Sequence, residues 1–98
     1  MAAYVILDVE VTDPALYEEY KKVSGEALRP FGGRFLVRGG AAKILEGDWH
    51  PHRLVVLEFE TAERAREWWN SETYREPKAL RQRASRGAMV LVEGVARD

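Results

Sequence analysis

The apolar residues of this chain change their period in a fixed order, and that order restricts the fold more than any single motif. Residues 3–11, AYVILDVEV, are rich in β-branched side chains and alternate toward their end, which predicts a strand. Thr12-Asp13-Pro14 then opens a helix. Asp13 is suited to cap free backbone N–H groups, and Pro14 fits the first helical position, where no N–H is needed. Leu16, Tyr20, Val23 and Ala27 follow at helical spacing, with Tyr17 and Leu28 widening the stripe. The helix should run to about Arg29, where Pro30 and Gly32-Gly33 end it.

Residues 33–39, GRFLVRG, and residues 53–60, RLVVLEFE, predict a second and a third strand. The polar connection between them is long for a hairpin, so Ala42–Leu45 is expected to extend the second strand after a bulge at Gly39-Gly40. Thr61 is the expected N-cap of a second helix, with Ala62, Ala65 and Trp69 on one stripe beside Trp68. Asn70-Ser71 breaks the pattern, and Ser71 caps a further piece containing Tyr74, Leu80 and Ala84. Pro77 lies inside that piece and predicts a kink or a fresh start. Gly87 ends it, and residues 88–95, AMVLVEGV, are the last strand.

The resulting order is β-α-β-β-α-β, an α+β arrangement of two interleaved βαβ units, which is ferredoxin-like. Right-handed crossovers give a four-stranded antiparallel sheet, order 4-1-3-2, with both helices on one face. Alternation sends Val5, Leu7, Val9, Phe35, Val37, Val55, Leu57 and Phe59 toward the helices. Tyr4, Ile6, Asp8, Glu10, Leu36, Arg38, Leu54, Val56 and Glu58 fall on the other face. That face is half apolar and nothing left in the chain covers it. The expected partner is a second copy packed face to face, a two-fold dimer with a barrel-like core.

Composition narrows the function classes. Ninety-eight residues predict one domain over 1–98, and 46% hydrophobic with 32% charged residues is a globular rather than a disordered balance. A net charge of −1 gives no reason to expect nucleic acid or an anionic membrane as partner. The absence of cysteine removes thiolate metal sites and thiol nucleophiles. The first apolar stretch is short and carries Asp8 and Glu10, so neither a signal peptide nor a membrane span is expected, and a cytoplasmic location is.

Four segments together are specific: AYVILDVEVTDP, GGRFLVRGG, LEGDWHPHRLVVLEF and WWNSETYREPKALR. With them the chain resembles, over about residues 2–95, the family catalogued as domain of unknown function 1330. The resemblance implies the dimeric α/β-barrel superfamily, the same homodimer the topology suggests. That superfamily includes cofactor-independent monooxygenases, lactone isomerases, haem-degrading enzymes and ligand-sensing domains, so it implies a fold and not a reaction. Pro77 stands where such sequences carry a helix-compatible residue, which bears on the continuity of the second helix.

Two constellations carry chemistry. Asp8, Arg38 and Glu58 are expected on three strands of the open face. There the Arg38 fork would suit a substrate carboxylate or enolate, so that a small anionic or aromatic molecule is the expected ligand, and a carboxylate crowded by another would serve as general base. The plainer reading is an ion-pair cluster that fixes dimer register. His50-Pro51-His52, with Glu46 and Asp48, has the residue types of a metal site but no rigid element to set ligand geometry. No metal and no organic cofactor are expected. His50 and His52 read as turn residues, or as proton carriers at a cavity mouth, with Trp49 anchoring the loop. Ser71 reads as a cap rather than a nucleophile. Two functions stay open: a small-molecule enzyme acting by acid–base chemistry, monooxygenase- or isomerase-like, and a non-catalytic binding or interaction module.

Overall fold

The structure, a computed structural model, describes residues 1–96, so the last two positions of the expected 1–98 domain lie outside the described residues. Its elements are β1 (Ala3–Val11), α1 (Pro14–Leu28), β2 (Arg34–Arg38), β3 (Arg53–Phe59), α2 (Ala62–Trp69), α3 (Glu72–Ala84) and β4 (Ser85–Glu93). A 3₁₀ turn, Arg29–Phe31, follows α1 and closes on Gly32 in the left-handed region. The sheet order is β2-β3-β1-β4 with every pairing antiparallel, the ferredoxin-like order expected from topology.

The caps are where the side-chain chemistry placed them. Asp13 accepts from the Leu16 amide, Thr61 from Arg64 and Ser71 from Tyr74, each satisfying one free N–H of a first turn. The second helical region restarts at Ser71. Pro77 lies inside α3 without ending it and is buried, so no fresh start occurs there. It lacks only the N–H that would reach the Thr73 carbonyl, and its ring packs inward.

The core lies between the helices and one sheet face. Val5, Leu7 and Val9 of β1 and Val55, Leu57 and Phe59 of β3 are buried there. Trp68 is packed between Phe59 and Tyr74, with ring centroids 5.4 and 4.2 Å away. Adjacent helical residues point about 100° apart, so Trp69 lies nearer the surface, with the Lys78 ammonium 4.1 Å from its ring centre. The buried residues of α2 are therefore Ala62, Ala65 and Trp68, not Trp69. In α1 the buried stripe is Tyr17, Tyr20, Ser24, Ala27 and Leu28, while Val23 is exposed. A serine thus occupies an inward position that an apolar count assigns to its neighbour.

The second strand departs most from expectation. Leu36 and Val37 together oppose Val56, so one extra residue is inserted inside β2, not at Gly39-Gly40. Ala42–Leu45 carry no strand. The insertion turns Val37 to the open face and Arg38, now opposite Val55, to the helix face. No described helix is long and apolar enough to cross a membrane.

Two glycines make opposite predictions. A Cβ on Gly87 would collide with the Asp8 carbonyl across the β1–β4 pairing, whereas a Cβ on Gly25, inside α1, meets nothing. Gly87→Ala should lower unfolding stability by about 1–3 kcal/mol, and Gly25→Ala should raise it by about 0.5–1 kcal/mol. Urea titration of both variants checks the pair.

Candidate functional site

The structure does not assemble Asp8, Arg38 and Glu58. The shift at Leu36 puts Arg38 on the opposite side of the sheet from the two carboxylates. Glu58 is bound instead by Arg34, whose Nε donates to its Oε1 at 2.6 Å. Along β1, Asp8 sits four residues from Tyr4, the partner of Glu58, a separation of about 13 Å at strand rise. Carboxylate crowding is therefore absent at Asp8. Its pKa is held below the usual value, first by the hydrogen bond from the His52 amide and then by that from the Trp49 indole. That direction is the opposite of the one expected for a crowded general base.

Arg38 instead borders a cleft between α1 and the helix face of β2 and β3. The cleft is lined by Tyr17, Tyr20, Ser24, Phe35, Arg38 and Arg53, among others. Its enclosed space is about 20 Å³, room for about one water. Arg38 donates to the Lys21 carbonyl at 2.9 Å and approaches the Ser24 hydroxyl at 3.4 Å. Its guanidinium lies 4.2 Å from the Phe35 ring centre, and that of Arg53 lies 5.6 Å from the Tyr17 ring centre. Neither arginine forms an ion pair among the described residues. The Nε of Arg53 is buried without a hydrogen-bond partner. Gly39, at φ +75°, gives Arg53 its room, because a Cβ there would strike the guanidinium.

Deeper in, the Tyr20 and Tyr74 hydroxyls meet at 2.9 Å, and the Arg81 Nε donates to Tyr74 at 3.3 Å. Burial is the first cause that raises the Tyr20 pKa, so this phenol stays neutral and joins α1 to α3 by a hydrogen bond. Arg53 and Ser24 are the residues that sequence reasoning missed. Arg53 opens the alternation that buries Val55 and Leu57, so its side was legible. Ser24 falls at i+4 from Tyr20.

On the open face, the loop joining β2 to β3 is tied to Asp8. The Trp49 Nε1 donates to Oδ2 and the His52 amide to Oδ1, both at 2.9 Å. The His52 Nδ1 stands 3.7 Å from Oδ1. Trp49 thus anchors the loop through its N–H, while most of its ring remains exposed. His50 is exposed on the same segment. A carboxylate whose folded pKa is depressed stabilises the fold fully above its unfolded pKa, and this is lost as pH falls through the folded value. Acidification should therefore release Trp49. Its indole N–H resonance should move with a midpoint below 3.8, the ordinary value for this group, and should not titrate in Asp8→Ala. A midpoint above that value would contradict the latch.

Solved structures share this fold at low identity. The RPA0582 protein of unknown function from Rhodopseudomonas palustris superposes with a TM-score of 0.76 at 18% identity, covering 98% of this chain and 84% of that one. SnoaB, a cofactor-independent oxygenase from Streptomyces nogalater, gives 0.65 at 13% identity, covering 98% and 95%. Rv0793 from Mycobacterium tuberculosis gives 0.58 at 13%, covering 99% and 98%. No curated protein sequence matches the chain. These likenesses show a shared fold. The family model described as domain of unknown function (DUF1330) matches residues 2–95, and the chain belongs to that family.

Proposed function

We propose that this protein acts as a homodimer closed through its open sheet faces, and that each copy holds a small molecule in the cleft beneath α1. One observation carries the ligand reading. The cleft is set among core side chains, yet the polar side chains on it are Tyr17, Tyr20, Lys21, Ser24, Arg38, Arg53 and Trp68, with no carboxylate or imidazole. Such a lining offers hydrogen-bond donors and positive charge. It suits holding an anion or stabilising a developing one, and it lacks a base of its own. In this reading Arg38 is again the ligand-holding residue, on the helix face and not on the open face.

The dimer is supported by the open face. Val37 and Val56 are paired there, as are Ile6 and Val56, and Ile6 and Val90. Val90 is 55% and Val92 44% exposed. Glu58 with Arg34, and Glu10 with Arg86, border this apolar strip, a placement that suits fixing register more than chemistry.

A second reading, acid–base catalysis at the dimer interface, is favoured by the Asp8–His52 spacing of 3.7 Å. In it His52 takes a proton, Asp8 stabilises the resulting imidazolium, and His50 relays at the rim. The description of SnoaB as a cofactor-independent oxygenase supports catalysis on this fold without a bound cofactor.

Light scattering should give about twice the 11.2 kDa chain mass, and Val90→Lys should give the monomer. A monomeric wild type at micromolar concentration contradicts the dimer. Small carboxylates and phenols should raise the thermal midpoint of the wild type, by about 2.7 kcal/mol of stabilisation at 100-fold over Kd. Arg38→Ala should lose most of that gain. An equal gain in both removes Arg38 from the site.

A further inference from the structure

We propose that Arg38 and Arg53 form a two-guanidinium carboxylate site, so that the ligand of the cleft is a small organic acid. This rests on the reading that the cleft holds a small molecule, and it adds the ligand's chemical class. The backbone register carries the first step. Arg38 is opposite Val55 on β3, and Arg53 is two residues along on the same face. Diagonal neighbours of this kind lie about 7–8 Å apart. Two like charges placed there repel, and each would ordinarily be offset by an acid. Glu18 pairs with Lys21 at the cleft edge, and no described carboxylate pairs with either arginine.

The donors provide the second step. Both guanidinia rest on aromatic rings, Arg38 on Phe35 and Arg53 on Tyr17. The rings take up one side of each guanidinium; one Arg38 nitrogen is spent on the Lys21 carbonyl, and its remaining N–H groups and those of Arg53 are the donors for a planar carboxylate. The buried, unpartnered Nε of Arg53 costs free energy as it stands, and a carboxylate oxygen would satisfy it. The rings that carry the arginines, with Leu28 and Leu57 behind them, supply the apolar wall for the rest of the acid. Arg53 now lies over Tyr17 and closes the space. A ligand larger than water lifts this side chain outward, and the guanidinium travels with the carboxylate.

Calorimetry on the full chain at neutral pH and low salt tests the assignment, with benzoate, its neutral isostere benzamide, and inorganic phosphate as probes. Benzoate should bind at least about tenfold more tightly than benzamide and phosphate. Arg53→Gln should cost about tenfold for benzoate and leave benzamide unchanged, and Arg53→Lys, which keeps the charge but loses the fork, should cost severalfold. Equal binding of benzoate and benzamide overturns the carboxylate site while leaving the cleft as a small-molecule site. Phosphate binding as tight as benzoate overturns the carboxylate assignment in the same way. Binding of neither organic probe overturns the cleft reading itself. The comparison of probes on the wild type decides the matter even where a variant fails to fold.

Discussion

Three helices cover one face of a four-stranded sheet, and among the described residues no other element is left to cover the second. Much else follows from that asymmetry. On the covered face, alternation buries Val5, Leu7 and Val9 against the helices, and Trp68 fills the layer between Phe59 and Tyr74. On the other face the same alternation leaves Ile6, Val56 and Val90 in a continuous row across three strands. An apolar row of that kind carries a cost in water that one chain has no element left to remove. The loop from β2 to β3 is tied to the same face at Asp8 through Trp49 and His52.

The sheet also separates two kinds of chemistry. Acids and the imidazole of His52 are on the open face, where Asp8 gathers the loop and Glu58 is bound by Arg34. Hydroxyls and unpaired guanidinia are on the helix face, under α1. A reaction needing both a base and an anion holder would have to draw on both sides of one sheet. On the proposed reading the two faces take separate roles, the helix face recognising an anion and the open face serving assembly.

Much of this was legible in the residues. The strand β1, the three N-caps Asp13, Thr61 and Ser71, and the sheet order followed from periodicity and capping chemistry, because each rests on local geometry that a few residues determine. The loop was legible in part: Trp49 was identifiable as an anchor, but not Asp8 as its partner, since that contact spans 41 positions. The site itself was misread at Leu36. Phe35-Leu36-Val37 is an unbroken apolar run, so it contains no alternation to reveal an inserted residue. A slip of one position sends every later side chain to the opposite face, and Arg38 went with it. Ser24 was missed for a related reason: a stripe counted from apolar residues alone favours Val23, although the inward direction is set by Tyr17, Tyr20 and Ala27.

The same slip sets the charge balance of the helix face. Without the extra residue, Arg38 would stand on the open face beside the row that includes Glu58, leaving Lys21 and Arg53 at the cleft. The insertion instead brings a second guanidinium to the same corner, and Gly39, in the left-handed region immediately after it, leaves space where a side chain would strike Arg53. Strand irregularities that re-aim a side chain cost ladder hydrogen bonds and gain nothing for packing alone. Here the re-aimed side chain is a cation without an acid, placed beside another whose Nε is buried and unpartnered. A core built only for stability would have kept these groups apart. Their convergence on one cleft is the part of the fold least explained by folding itself, and it is what the proposed carboxylate site would account for.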